Sequence, residues 1–571
     1  MNLTPDRSAL DRTFDLAVVG AGITGVCLAR EAAARGRSVV VVDQGDFGSG
    51  TSAGITKYLH GGIRYLEQYD LRVVRESLRE RRIMSLAAPH LVRPTPFVLP
   101  VWSWSKPGRL LLGAGVATYD ALSFDRNREA PPSLRIGHPR YLTRAATLAA
   151  VPWLDPTDLR GAFVVTDTLN VHPERFLLAL LSDAVALGAV ALNHTAVEGF
   201  ATRPGAGDDV AVTGIETVDR LDGVRRTIRA AQVINAAGPW MDEALRPLGR
   251  ELGVGVVRSK GVHVLTRPLG GPGRVDHAVL ARARSGRHVV VSPWQGRSFI
   301  GPTDTPIDDH PDDVRAAADD VAEVLATVNS CLGPHEAPLD QNDVEHATVG
   351  IRPLVVEEGK DTYSASRRHE LYDHADRGVR GLWSIAGGKW TTGRGIAADV
   401  LDRVLGPDAS PTERRTVSGG PGWAAEPTGH FETALGSRPE LGLPARTREH
   451  LARLYGTAHE RVLDLVAEDP RLGEPISSRP GCDDIGAQVV LAVSAEAART
   501  LGDVIDRRLV LGTLGPVTPV EVDRVARLAA PLLGRAGDER RLADDEIVRR
   551  AAREAAWRDG GPGARPGRSG P

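Results

Sequence analysis

The chain opens on an apolar run of strand length, Phe14 to Val19. Gly20-Ala-Gly22-Ile-Thr-Gly25, an alanine-rich stretch through Arg35, a break at Gly36 and a second apolar run closed by Asp43 follow. Continuous apolar runs on either side of a helical stretch predict a βαβ unit whose strands are buried on both faces. Residues 230–236 and 381–386 carry the same signature and end in glycine turns, at Gly238 and at Gly387-Gly388. Together these runs predict one nucleotide-binding sheet assembled from separated pieces of chain. HVVVSPW (288–294) and SFIGPTD (298–304) predict neighbouring antiparallel strands around a Gln-Gly-Arg turn. They would belong to a second layer.

Past about residue 410 the pattern changes to a Pro/Gly-rich stretch and then to helical periodicities. Thr518-Pro519-Val520-Glu521 reads as a capping box with proline at the first helical position. The expected class is α/β: a discontinuous Rossmann-like domain, an antiparallel-sheet substrate domain and a C-terminal all-helical cap. The expected boundaries are 12–410 for the two-layer region, 411–445 for a linker, 446–557 for the helical domain and 558–571 for a disordered tail. Within the first region, dinucleotide-binding pieces are expected at about 12–88, 150–250 and 345–410. Substrate-domain pieces are expected at about 89–149 and 251–344.

Composition narrows the function. At 571 residues with 42% hydrophobic and 25% charged residues, the chain reads as an ordinary multidomain globular protein. A net charge of −3 gives no global basic field for nucleic acid. Cys27, Cys331 and Cys482 are too scattered for a metal or disulfide framework, which fits a reducing cytoplasmic compartment; no metal site is expected. The first fifteen residues lack the layout of a signal peptide, and no apolar run approaches the length of a membrane span. Of 70 basic residues only Lys57, Lys106, Lys260, Lys360 and Lys389 are lysines. A lysine kept against such a bias toward arginine marks a place where a compact ammonium is needed.

The Gly20/Gly22/Gly25 turn lets backbone N–H groups reach a pyrophosphate at a helix N-terminus, and Asp43 is placed to accept from a ribose hydroxyl. By itself this does not separate FAD from NAD. Lys57-Tyr-Leu-His60-Gly61-Gly62-Ile-Arg64-Tyr65 offers a tight turn able to approach a flat ring, then two phosphate ligands. Lys260-Gly261-Val262-His263 sets a histidine in a strand, and Arg352 lies before a proline that holds it extended. Gly387-Gly388-Lys389-Trp390-Thr391 runs from a strand into a helix whose positive end would favour an anion.

Taken together, GAGITG (20–25), DFGSGTS (46–52), KYLHGGIRYLE (57–67), NAAGPW (235–240), KGVH (260–263), GPTDT (301–305), GIRPL (350–354), GGKWTTGR (387–394) and EAARTLGDVIDRR (496–508) resemble the FAD-dependent glycerol-3-phosphate dehydrogenase family. The resemblance implies non-covalent FAD and oxidation of glycerol 3-phosphate to dihydroxyacetone phosphate, with hydride passing from C2 to flavin N5. It implies a quinone or other acceptor for the electrons and contact with the inner face of a membrane, and it leaves room for a homodimer. It places Arg64, Tyr65, Thr303 and Arg367 at the substrate. His263 is the candidate base, and Arg352 or Lys389 would polarise the alkoxide. Thr51, Ser52, Lys57, His60, Gly61, Gly62, Gly238, Gly388 and Thr391 join the glycine turn and Asp43 at the flavin. Trp102 to Gly113 orders aromatic, basic and apolar residues as a membrane interface would.

The family's Ser-rich stretch before the lysine is Ser52-Ala53-Gly54-Ile55-Thr56 here, and three single positions also depart from the family. Its usual serine is Val262 here, its usual tyrosine is Gly393, and Trp390 replaces a smaller aliphatic residue. These changes are expected to alter the pocket. A same-fold flavin oxidase or dehydrogenase acting on another hydroxy acid, an amine or a phosphate ester therefore stays open, as does a flavin-binding module without turnover.

Overall fold

The computed structural model describes residues 2–5, 7–68, 70–271, 277–355, 368–417 and 427–558. Phe14–Val19 and Val39–Val42 pair in parallel through helix Ile23–Ala34, as their apolar runs predict. Arg225–Asn235 and Leu382–Gly387 extend this parallel sheet on one side and Val190–Leu192 on the other; His369–Asp373 closes it antiparallel. Helices Ile23–Ala34, Pro173–Ala186 and Gly393–Leu405 cover one face, burying Leu16, Val18, Leu28 and Phe176.

The second sheet has ten strands and is antiparallel apart from one pairing, Ala278–Arg282 alongside Val92–Trp102. His288–Trp294 and Arg297–Gly301 are neighbours around the Gln-Gly-Arg turn. Its membership differs from the expected pieces. Leu159–Asn170 pairs along Val92–Trp102, and Val344–Val355 pairs along Val256–Thr266, so both belong to this sheet and not to the nucleotide-binding one. Tyr58–Leu59 joins it as well. A buried apolar strand reads the same in either sheet, so only pairing partners could separate them.

The stretch expected as a linker holds structure. Helix Pro427–Gly436 and a turn at Pro439–Leu441 lie within it, and Ala434 packs on Ala452. Beyond it, helices Ala445–Tyr455, Glu460–Glu468, Gly486–Ala495, Pro519–Leu532 and Glu539–Arg558 surround a core that includes Leu451, Val462, Ile505 and Val525. Thr518 caps its helix as expected: its hydroxyl accepts from the N–H of Glu521, whose carboxylate accepts from the N–H of Thr518. Residues 559–571, most of the expected tail, lie outside the described residues. Leu28 is fully buried in the first helix. Leu28→Ala is expected to lower stability by about 2–5 kcal/mol, read from urea unfolding with the slope unchanged.

Candidate active site

Two cavities meet between the sheets. The first, of about 500 Å³, runs along the carboxyl ends of the parallel strands and is lined by Gly20, Gly22, Asp43, Gly238 and the 44–52 loop. Its shape depends on close backbone approach. A Cβ on Gly25 would stand 1.8 Å from the Gly20 carbonyl oxygen, and one on Gly20 (φ +99°) 2.7 Å from that of Ala236. Ser52 Oγ accepts from the Ile23 N–H (2.9 Å) in the first turn of the helix. Asp43, expected at a ribose, makes contacts within the protein as well. One carboxylate oxygen accepts from the Ala21 N–H (2.7 Å) and the other from that of Gly45 (2.9 Å), while burial pushes its pKa up to about 6. It therefore ties the glycine turn to the 44–52 loop while bordering the cavity.

The second cavity, about 290 Å³, lies over one face of the ten-stranded sheet. The two share Thr51, Ile55, Pro353, Gly387, Gly388, Lys389 and Trp390 as a common wall. Gly387 (φ +74°) and Gly388 (φ +90°) carry the chain through this wall in a conformation that disfavours side chains. Lys389 donates to Ser77 Oγ (2.9 Å), and its ammonium lies 3.9 Å from the centre of the Tyr65 ring. Gly62 (φ +73°) makes room for that ring, because a Cβ there would lie 2.4 Å from it. Across the cavity, Arg352 donates to Asp304 (2.9 Å), Ser259 Oγ (3.2 Å) and the Thr303 carbonyl (3.1 Å). Its guanidinium passes over Gly261, where a Cβ would stand 2.4 Å from Nη2.

His263 also lines this cavity, stacked on Phe299 at 4.8 Å between ring centres. Its Nε2 meets Thr56 Oγ1 at 3.1 Å, and its buried Nδ1 has no partner among the described residues. Burial, then the nearby Arg352 and Lys57 cations, hold its pKa down at about 3, so the ring is neutral at physiological pH. Thr303 Oγ1 accepts from the Val262 N–H (2.9 Å) and fixes the turn that presents Asp304. His60 is at the cavity with its N–H donated to Thr391 Oγ1 (3.2 Å). Away from the cations the floor is apolar. Phe97, Leu99, Val165, Leu280 and Val290 line it from strands paired in register.

Several expectations are corrected. Lys57 lines neither cavity; it is buried in an ion pair with Glu174 (2.9 Å). Gly61 lines neither, because it packs beneath Tyr119 and Leu78 and donates to Asp167 (3.2 Å). Thr51 borders both cavities, but its hydroxyl is donated to the Ile351 carbonyl (2.5 Å). Of the three single-residue departures only Trp390 reaches a cavity; Ser52, Gly54, Ile55 and Thr56 of the departing 52–56 stretch line the cavities as well. Val262 points into the core on the other face of its strand, and Gly393 packs against Ile23. Arg367 and the side chain of Arg64 lie outside the described residues. Asp304 and Ser77 escaped the sequence reading, and Thr56 entered it only within the departing 52–56 stretch, with no role assigned. Asp304 stood one residue from Thr303, but an acid beside a proposed anion site gives no signal until its arginine is seen.

The glycine turn that a Cβ would fill and the indole N–H of Trp390 in the common wall, which has no partner among the described residues, fit a dinucleotide whose ring ends between the cavities. Fold and site thus define a dinucleotide-dependent oxidoreductase, and comparison with known proteins gives the dinucleotide as FAD. The model of the FAD dependent oxidoreductase family matches residues 15–403, and that of the C-terminal domain of alpha-glycerophosphate oxidase matches 410–540. A glycerol-3-phosphate dehydrogenase of Synechocystis is 37% identical over 508 residues, covering 87% of this chain and 88% of that one. A glycerol-3-phosphate dehydrogenase of Mycobacterium tuberculosis is 34% identical over 538 residues, covering 91% and 85%. The X-ray structure of the glycerol-3-phosphate dehydrogenase from Bacillus halodurans complexed with FAD superposes with a TM-score of 0.75 at 27% identity, over 97% of this chain and 98% of that one. The chain belongs to the FAD-dependent glycerol-3-phosphate dehydrogenase family, and its cofactor is FAD.

The buried histidines make stability depend on pH. Burial holds His263 and His90 near 3 and His346 near 4. Their unfolded values are near 6.5, so below that pH the unfolded chain binds protons that the folded chain refuses. Stability is expected to fall as pH drops from 6.5 toward 3, by up to about 1.4 kcal/mol per pH unit for each histidine. At saturating FAD, the urea midpoint of His263→Gln should fall less steeply with acid than that of wild type. Equal slopes would mean that His263 is not held neutral.

Proposed function

We propose that the protein oxidises sn-glycerol 3-phosphate to dihydroxyacetone phosphate and delivers the electrons to a quinone. The carrying observation is that Arg352, Lys389, Tyr65, Thr303 and His263 line one cavity whose wall is shared with the dinucleotide cavity. Bound FAD supplies a two-electron acceptor for the hydride released from C2. Arg352 and Lys389 hold the anionic substrate, each anchored beforehand by Asp304 or by Ser77 and Tyr65. His263 accepts the hydroxyl proton. A phosphate beside Arg352 offsets one of the charges that depress the imidazole, so substrate binding raises its basicity, while burial, the larger cause, still holds it down.

Two features favour an apolar acceptor. The floor of the cavity offers apolar surface that a small phosphate ester leaves uncontacted. Beside that floor, helix Arg109–Leu122 packs Leu112 and Val116 inward while exposing Leu110 (85%) and Leu111 (66%); Phe124 (75%) follows, and Lys106 and Arg109 are exposed nearby. An exposed apolar face rimmed by cations suits the surface of an anionic bilayer, where a quinone is dissolved. No helix among the described residues is long and apolar enough to cross a membrane.

Anaerobic addition of glycerol 3-phosphate should bleach the flavin absorbance. Bleaching only by a hydroxy acid, an amine or another phosphate ester would transfer the function to that compound. Arg352→Met should lower kcat/KM on the order of 10- to 100-fold, the loss of one charge-assisted contact, and an unchanged value would remove Arg352 from the phosphate. Wild type should sediment with anionic vesicles, and Leu110→Glu with Leu111→Glu should abolish this. A protein that stays in the supernatant at low salt would end the membrane reading.

A further inference from the structure

The family reading leaves open why an enzyme whose reaction lies wholly between two sheets carries a large helical domain outside them. The contacts of one segment, 496–508, suggest an answer. Its last turn, Val504–Arg508, widens into a π turn that places two consecutive arginines against the nucleotide-binding domain. Both meet Asp46. Arg507 and Arg508 each form an ion pair with its Oδ2, and Arg508 Nη2 also donates to Oδ1 at 3.0 Å. Asp46 and Arg508 are fully buried, which makes this one of the most desolvated ion pairs in the molecule.

Asp46 belongs to the 44–52 loop, not to the structural core. Gln44, Gly45, Ser49, Gly50, Thr51 and Ser52 of that loop wall the dinucleotide cavity. Asp46 is the hub that shapes it. Its carbonyl accepts from the Ser49 N–H (3.0 Å), and its carboxylate also accepts from Asn193 Nδ2 (2.9 Å). That same Asn193 amide donates to the Ala497 carbonyl of the helical domain (2.8 Å). The next residue, His194, donates its backbone N–H to the Gly45 carbonyl (2.8 Å), and its Nε2 lies 2.9 Å from Asp503. From there the loop runs to Ser52, which accepts from the first turn of the pyrophosphate helix.

We propose that the helical domain is a clamp for FAD: Arg507 and Arg508, acting through Asp46, hold the 44–52 loop in its cofactor-binding shape. Occupancy of the cavity and the hold of Arg507 and Arg508 on the loop are then one coupled equilibrium, and by linkage FAD steadies that contact as much as the contact tightens FAD. Asp46, Arg507 and Arg508 are positioning residues, since they line neither cavity. A second buried bridge between the same partners supplies the control. Arg175 of helix Pro173–Ala186 pairs with Glu496, equally buried, but neither residue belongs to the loop or lines a cavity.

The test strips FAD from the full-length protein and titrates it back, following quenching of flavin fluorescence. Asp46→Asn and Arg508→Lys should each raise the Kd for FAD by about tenfold or more, since each leaves a buried charge poorly matched. At saturating FAD, KM for glycerol 3-phosphate should be unchanged. Glu496→Gln should lower Tm comparably yet leave the Kd within about threefold. An unchanged Kd in the Asp46 and Arg508 variants, or an equal rise in all three, would overturn the clamp and leave an ordinary domain contact. If the Asp46 variant does not fold, hydrogen exchange on wild type decides. FAD should slow exchange of amides in 499–510, and an absence of protection there would also overturn the proposal. Because these readouts are of flavin binding, they stand or fall independently of which alcohol is oxidised.

Discussion

A cation can hold an anionic ligand in a buried cavity only if it is kept charged and oriented before the ligand arrives. Water would otherwise have to be removed from it at the moment of binding. The rest of this site is arranged around that constraint. Arg352 is kept in place by Asp304, Ser259 and the Thr303 carbonyl, and Lys389 by Ser77 and the Tyr65 ring. Each anchor comes from a different piece of chain, so the cavity exists only when both sheets and the helix Leu71–Ala87 that bears Ser77 have come together. The glycines follow from the same need. Gly261 and Gly62 are small because a guanidinium and a phenol ring occupy the space their side chains would take.

Buried charge recurs wherever the layers join. Arg30 and Arg415 share Asp183, Arg394 pairs with Glu80, Lys57 with Glu174 and Lys260 with Asp320. Such pairs add little net stability over apolar packing, but they penalise wrong docking strongly, since a misplaced domain leaves a charge unmatched. They suit a protein that must bring two sheets and a helical domain into one register around a cofactor. They also explain the scarce lysines. Lys57 and Lys260 are buried in ion pairs and Lys389 lies in the common wall, while Lys106 is exposed. The idea that a retained lysine marks a demanding site holds for three of the four described, but for Lys57 and Lys260 the demand is structural.

The departures at Val262, Trp390 and Gly393 illustrate how far local sequence reaches. All three adjoin motifs of the site, and adjacency in sequence suggested adjacency to the ligand. In a strand, though, neighbouring side chains point to opposite faces. Val262 therefore enters the core while His263 enters the cavity. Gly393 begins the helix Gly393–Leu405 and is pressed against Ile23, where a larger side chain would crowd the helix Ile23–Ala34. Of these three, Trp390 alone alters the cavity wall, packing edge-on against Phe176 and leaving its N–H without a partner among the described residues.

By itself the sequence determined what depends on neighbours a few residues apart. The βαβ unit with its glycine turn, the hairpin at Gln295-Gly296, the Thr518 cap and the helical character of the carboxy-terminal region all rest on local periodicity, capping and turn chemistry. Tertiary structure alone decided which sheet received Leu159–Asn170 and Val344–Val355, because two strands of equal apolarity differ only in whom they pair with. It alone joined Asp304 to Arg352, buried Lys57 against Glu174 away from both cavities and set Arg508 against Asp46 across 462 positions of chain. A charge's role is set by its partner, and a partner hundreds of residues distant leaves no periodicity to read.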